Sequence, residues 1–244
     1  MKKYLLTATA LLLALNILSG CSKTQTEAVI SSEPSTASAE TEHNRPFESD
    51  ASYMQQIERY YTAISSQWDE SAYFDQEMSA MVVYYYEGNA LDNIGFQFMD
   101  LDGDNVQELI IGAIKNAKQD PLVFEIWTLK NGVPTMLVQS GSHNRYYLQY
   151  TEEDNTWTIA YEAENGTANR AVYYLQLSGG KLEVVQGVLF DAIVDENAPW
   201  FMTYDLDWDT SNDVPIEADT ANSVMQTGRN IYTEIEYFPY SMYK

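Results

Sequence analysis

Cysteine is almost absent from this chain: the one thiol stands at position 21. A fold stapled by internal disulfides is therefore excluded, and after residue 21 there is neither a cysteine nucleophile nor a thiolate metal ligand. Basic residues are scarce as well. Lys and Arg together number 13 against 36 Asp and Glu, a formal charge of −23. Such a surface repels the phosphate backbone, so nucleic acid is not an expected partner. Histidine occurs only as His43 and His143. No Gly-rich phosphate loop is present, and no serine is framed by a nucleophile-elbow motif. No apolar run reaches the roughly 20 residues that a membrane-spanning helix needs.

What stands at the start is ordered by polarity. Lys2 and Lys3 precede an apolar stretch over 4–17, and Leu18-Ser19-Gly20-Cys21 follows. The stretch has the length of the apolar core of a secretory leader, about 7–15 residues. The closing quartet resembles the lipobox of bacterial lipoproteins, and specifically of Firmicutes-type surface lipoproteins. That resemblance covers residues 1–21. It implies cleavage before Cys21, a diacylglycerol on the Cys21 sulfur and a further, palmitate-like acyl chain on the new amino group. An ordinary secreted leader with an incidental cysteine is the competing reading. Two or more buried acyl chains anchor stably where one dwells briefly. The expected address is thus the extracytoplasmic face of the bacterial membrane. Loss of residues 1–20 removes two lysines and deepens the negative charge.

Residues 21–50 hold the anchor and then a stretch rich in Ser, Thr, Glu and Ala. Such a composition buries too little apolar surface to offset chain entropy, so a disordered tether is expected, with His43 idle within it. As a coil its ends lie roughly 30 Å apart, and stretched it reaches about 100 Å. Residues 51–244 follow without a second linker, which predicts one domain.

The patterning predicts an α+β fold: an N-terminal helix pair, an antiparallel meander of about seven to eight strands, and a C-terminal helix. Met54, Ile57, Tyr61, Ile64 and Trp68 recur at steps of three and four, the spacing of one helix face, with Ser49 or Asp50 as cap. Phe74, Met78, Met81 and Tyr85 suggest a second helix over 70–87, ended by Gly88-Asn89. From Phe96 the period becomes two. Strands are expected over 96–99, 108–114, 122–129, 134–139, 145–150, 156–161, 170–177 and 181–190. Asn/Gly/Asp clusters separate most of them, as antiparallel hairpins require. A last helix is expected over 217–227, and the aromatic stretch 231–243 is expected to pack back on the domain. Of tyrosine pairs such as Tyr146-Tyr147 and Tyr173-Tyr174, one ring can be core and the other exposed, because strand neighbours point to opposite faces.

The run Asp100-Leu101-Asp102-Gly103-Asp104-Asn105-Val106-Gln107-Glu108 places acids at positions 1, 3, 5 and 9. Ca²⁺ takes six to eight oxygens at about 2.3–2.6 Å. Alternate residues of a tight loop can aim side chains at one point, and Val106 would add its carbonyl. Gly103 permits a sharp turn, and Asn105 tolerates positive φ. The run resembles the D-x-D-x-D-x-x-x-[DE] calcium loops of EF-hand-like, dockerin and integrin-type repeat proteins. Carried over residue by residue, the resemblance implies Asp100, Asp102, Asp104, Val106 and Glu108 as ligands. It departs from the EF-hand at position 12, where a bidentate Glu belongs and Ile111 stands. The flanks also alternate like strands. A solvated acidic turn without an ion is the competing reading. A weaker echo runs through Asp205, Asp207, Asp209 and Asp213, but Trp208 and the β-branched Thr210 occupy its turn positions.

The leading functional expectation is a membrane-anchored, non-enzymatic binding or interaction domain with a structural Ca²⁺ site, facing a protein or cell-wall partner. One alternative is a carbohydrate or cell-wall polymer module that stacks sugars on Trp157, Trp200 or Trp208. The other is a hydrolase, for which His143 is the sole imidazole beyond the tether.

Overall fold

Left-handed turn residues set the hairpins. Asn131 and Gly132 have φ of 54° and 76°, and Gly179 and Gly180 have 54° and 71°. Two successive positive φ values make the tight turn whose twist matches antiparallel strands. In the computed structural model, which describes residues 51–114, 121–197, 199–229 and 232–244, these turns join members of one large sheet. The leader, Cys21, the tether with His43, and the caps Ser49 and Asp50 lie outside the described residues.

The strands are β1 (Ile94–Met99), β2 (Glu108–Ala113), β3 (Val123–Lys130), β4 (Val133–Gln139), β5 (Asn144–Thr151) and β6 (Thr156–Glu164). They continue as β7 (Asn169–Ser178), β8 (Lys181–Asp191), β9 (Trp200–Thr203), β10 (Val214–Pro215) and β11 (Phe238–Pro239). All pair antiparallel, in the order β10-β9-β8-β7-β6-β5-β3-β2-β1-β11, with β4 on β3 beside that path. This corrects the expected α+β arrangement of a helix pair and a seven- to eight-strand meander. The described residues form an 11-stranded sheet with few helices. The three additional strands are only two to four residues long, too short to show a period of two.

The expected second helix over 70–87 is also cut short. The helix α1 (Met54–Ser65) is followed by α2 (Glu70–Asp75), which is one and a half turns, and the chain then breaks. Glu77 adopts φ 53°, and a separate 3₁₀ turn runs over Ala80–Tyr85. The break has a tertiary cause. Ser79 N–H donates to Glu125 Oε1 at 3.0 Å and Ser79 Oγ donates to the Ser140 carbonyl at 2.7 Å, which pulls the backbone off helical course. Phe74, expected on the buried face, is therefore 63% exposed, while Met78 is buried. A short α3 (Ala90–Asn93) leads into β1, and α4 (Ala218–Arg229) lies near the C-terminus.

Along its middle strands, such as β2 and β7, the sheet buries both faces. The N-terminal helices cover one, packing Tyr53, Ile57, Tyr60 and Ile64 on Phe96, Ile111 and Phe124. On the same face α4 lies against the other half, where Tyr174 OH donates to the Val224 carbonyl at 3.2 Å. The opposite face covers itself. Leu101 and Ile110, at β1–β2, share one core cluster with Leu175 and Leu177 of β7. Four strand spacings of about 4.8 Å separate β2 from β7 in a flat sheet, so the sheet curls to bring them together. Both tyrosines of the β7 pair are accordingly buried, Tyr173 on the curled face and Tyr174 under α4. The option of one core and one surface ring is not taken there, because β7 leaves neither face to solvent.

The sheet forks at β3. Val123 pairs with Tyr146 of β5, whereas Glu125 to Lys130 pair with β4. Opposite β2 the register slips, Ile111 facing Glu125 and Gly112 facing Val123, so Phe124 is the extra residue of a bulge. Phe124 and Glu125 thus both point to the helix-covered face. The freed edge of β5 is taken by the C-terminal segment: Thr233 N–H donates to the Leu148 carbonyl at 2.7 Å. That segment then seats Tyr237 against Gly112 before β11 pairs with β1.

A Cβ on Gly112 would lie 2.1 Å from the Tyr237 hydroxyl oxygen, whereas one on Gly141 meets nothing within 4 Å. Gly112→Ala is therefore expected to destabilise by about 1–3 kcal/mol through overpacking, and Gly141→Ala by far less. Urea denaturation of the two variants checks this; equal midpoints would refute the seating of Tyr237.

Candidate metal centre and adjoining groove

The loop over 100–107 joins β1 to β2, and its last acid, Glu108, is the first residue of β2, directly opposite Met99. The flanks are thus strands, and Ile111 is a core residue of β2. The loop folds on its own carboxylates. Asp100 Oδ1 accepts from Gly103 N at 2.7 Å and Oδ2 from Asn105 N at 3.0 Å. Asp102 Oδ1 accepts from Asp104 N at 3.4 Å, and Asp104 Oδ1 from Val106 N at 2.7 Å. Gly103 and Asn105 sit at φ 78° and 69°, the left-handed region that their residue types tolerate.

Glu108 is only 1% exposed. Its Oε2 accepts from Leu101 N at 2.9 Å and its Oε1 from Thr128 Oγ1 at 2.9 Å, so it clamps the start of the loop to β3. Carboxylate oxygens of Asp100, Asp102 and Glu108 lie within 4.8 Å of one another. Oxygens on one Ca²⁺ shell are at most about 5 Å apart, twice the metal–oxygen bond, so the three fit one ion. Asp104 is not among the converging three, and its Oδ1 serves Val106 N instead. Burial raises the Glu108 carboxyl to about 7, with the Asp102 and Asp104 charges adding to the rise against its two hydrogen bonds. Burial and then the Asp104 charge raise Asp102 as well. This is the electrostatic cost that a divalent cation would relieve.

The second acidic run lies between β9 and β10 and behaves differently. Asp207 Oδ1 accepts from Asp209 N at 2.9 Å, and Asp209 Oδ1 accepts from Ser211 N at 3.0 Å. Asp209 caps the 3₁₀ turn Thr210–Asn212. Burial raises Asp213, and the neighbouring Asp205, Asp207 and Asp209 charges add to it. Among the described residues, Asp100, Asp102 and Glu108 form the one converging acidic trio, and the second run contributes none.

The curl of the sheet brings the first loop to a groove of about 740 Å³ that sequence reading did not place. Asp102 and Gly103 of the loop line it together with Ser178 and Glu183, which stand on either side of the β7–β8 turn. Across the groove stand Tyr150 and Trp157, cross-strand partners whose ring centres are 4.8 Å apart. Tyr150 OH donates to Asn155 Oδ1 at 2.6 Å. Asp100, Asp102 and Glu183 also line the groove, and no lining residue is basic. Trp200 and Trp208 lie elsewhere: Trp200 is buried near α4, and Trp208 packs on the core of the curled face. His143 is exposed in the turn before β5, and among the described residues its ring makes no hydrogen bond. No helix among the described residues is long and apolar enough to cross a membrane.

No family model, curated protein or solved structure matches this chain.

The raised Glu108 carboxyl has a consequence in the absence of divalent ions. The folded state holds that proton more tightly than the unfolded chain, whose carboxyl keeps its ordinary value of 4.5. Stability from this group is therefore full below about 4.5 and falls as pH rises through about 7. In chelator, urea midpoints should decrease from pH 5 to pH 7.5, and Glu108→Gln should flatten that trend. Identical slopes in both proteins would contradict it.

Proposed function

We propose that this chain is a lipid-anchored protein of the extracytoplasmic membrane face, held through Cys21, whose sheet domain is a non-enzymatic binding domain with a structural Ca²⁺ in the 100–108 loop. The observation that carries the reading is the convergence of Asp100, Asp102 and Glu108 within 4.8 Å around a buried carboxylate. In this reading Ca²⁺ holds the loop in shape at the rim of the groove. Outside cells, even sites of roughly 10⁻⁴–10⁻³ M are useful.

At about 10 mM Ca²⁺ such a site raises the melting temperature by roughly 3–10 °C, and chelator reverses the rise. Asp102→Ala abolishes the shift. A calorimetric scan unchanged by Ca²⁺, or a shift that survives in Asp102→Ala, refutes the site.

A second reading is favoured by the groove itself. Acceptors and two aromatic rings without a basic group suit a neutral, hydroxyl-rich ligand: carboxylates take paired sugar hydroxyls and rings take the C–H face. A cell-wall polysaccharide is the ligand of that chemistry. The full chain should then be retained on insoluble wall polysaccharide, and Trp157→Ala should lose most of that retention while melting as a folded protein. Equal retention of the variant would remove this reading and leave the calcium site standing.

A further inference from the structure

Among the described residues Arg170 is a cation without a counter-charge, in a chain of 36 acids and 13 bases. Antiparallel pairing places it opposite Glu164 on β6 and Phe190 on β8, and Phe190 opposite Trp200 on β9. These four side chains form one row on a single face of the sheet. Glu164 is the obvious ion-pair partner, yet the guanidinium lies over the Phe190 ring at 5.0 Å and the Trp200 ring at 5.2 Å. Among the described residues no carboxylate pairs with it. Arg229 and Lys244, by contrast, are bound to Glu162 at 2.9 Å and Glu58 at 2.7 Å. Ring contacts of this kind satisfy none of the guanidinium N–H donors, which stay available to read a carboxylate in bidentate fashion.

That row borders a cleft of about 620 Å³ between α4 and the sheet. Trp200, Val188 and Met225 line it with apolar surface, and Asn222 and Gln226 of α4 add amide groups. Two more acids face the cleft besides Glu162, namely Glu164 and Asp219. Glu162 is taken up by Arg229 and by Tyr232 OH at 2.9 Å. One unpaired guanidinium and two acids thus remain. They repel a phosphate or sulfate dianion and suit a ligand carrying one carboxylate and one ammonium.

We propose that the cleft between α4 and β7–β9 binds a free amino acid or short peptide, with its α-carboxylate on Arg170, its ammonium toward Glu164 and Asp219, and its side chain against Trp200 and Met225. The site is separate from the 100–108 loop and its groove, so it stands or falls independently of calcium.

Isothermal titration of the full chain with the tripeptide Gly-Gly-Leu tests it, in chelator and in Ca²⁺ alike. Saturable binding at millimolar peptide or below is expected. The C-terminal amide of the same peptide should bind at least about tenfold more weakly, since a charge-assisted pair is lost. The N-acetyl form should weaken too, and Arg170→Gln should equalise the free acid and the amide. If Arg170→Gln melts far below the parent, the comparison of acid and amide on the parent chain decides. Absence of saturable binding, or equal affinity for acid and amide, overturns the proposal.

Discussion

A buried carboxylate joins the two halves of this fold. Glu125, 1% exposed, points from the bulge of β3 into the interface between sheet and helices. Its Oε1 accepts from Ser79 N at 3.0 Å and from Gln139 Nε2 at 3.1 Å, and its Oε2 from Trp127 Nε1 at 2.8 Å. The Tyr60 hydroxyl of α1 accepts from the same Ser79 N at 3.4 Å. Burial still pushes the Glu125 pKa up against these hydrogen bonds. Only this arrangement makes the site tolerable, because a buried carboxylate short of donors is strongly destabilising. Its consequences spread outward. Ser79 is held, so the helical segment breaks there; Gln139 is held, so β4 stays on the fork of β3.

The fork and the curl then decide where chemistry collects. With β4 diverted, β5 meets β3 only at one pair, and the C-terminal segment fills the remaining edge. The sheet is free to bend around the cluster of Leu101, Ile110, Leu148, Ile159 and Leu175. Bending carries the β1–β2 loop to the β7–β8 turn and places Tyr150 and Trp157 across from the acids. On the other face, α4 does not fill the space above β7–β9, which leaves the Arg170 cleft. The two sites therefore differ in character: one holds only acids and acceptors, the other both signs of charge.

Legibility followed locality. The 100–108 loop was readable because its spacing is short-range, and its turn residues Gly103 and Asn105 adopt the positive φ that their types permit. Even there the converging set differs from the one implied by resemblance, since Asp104 serves the loop backbone and Glu108 is held by Thr128, twenty residues away. The second helix was misread because the hydrogen bonds that break it come from Glu125 and Ser140, invisible in the local pattern. The short strands β9, β10 and β11 carry too few residues to show alternation. Trp157, Trp200 and Trp208 look alike in sequence, and only packing sets one on a groove, one under α4 and one on the core.

By itself the sequence determined the polarity of the leader, the absence of thiols after Cys21, the acidity, the hairpin turns and the acidic loop, all properties of residue type and near spacing. The tertiary structure alone decided how far the sheet curls, that both faces of its middle strands are buried, which three carboxylates meet, and that Arg170 rests on two rings beside an acid it does not pair with. The physical reason is range: turn chemistry acts over a few residues, while burial, convergence of charge and the choice of an ion's partner depend on strands distant in sequence.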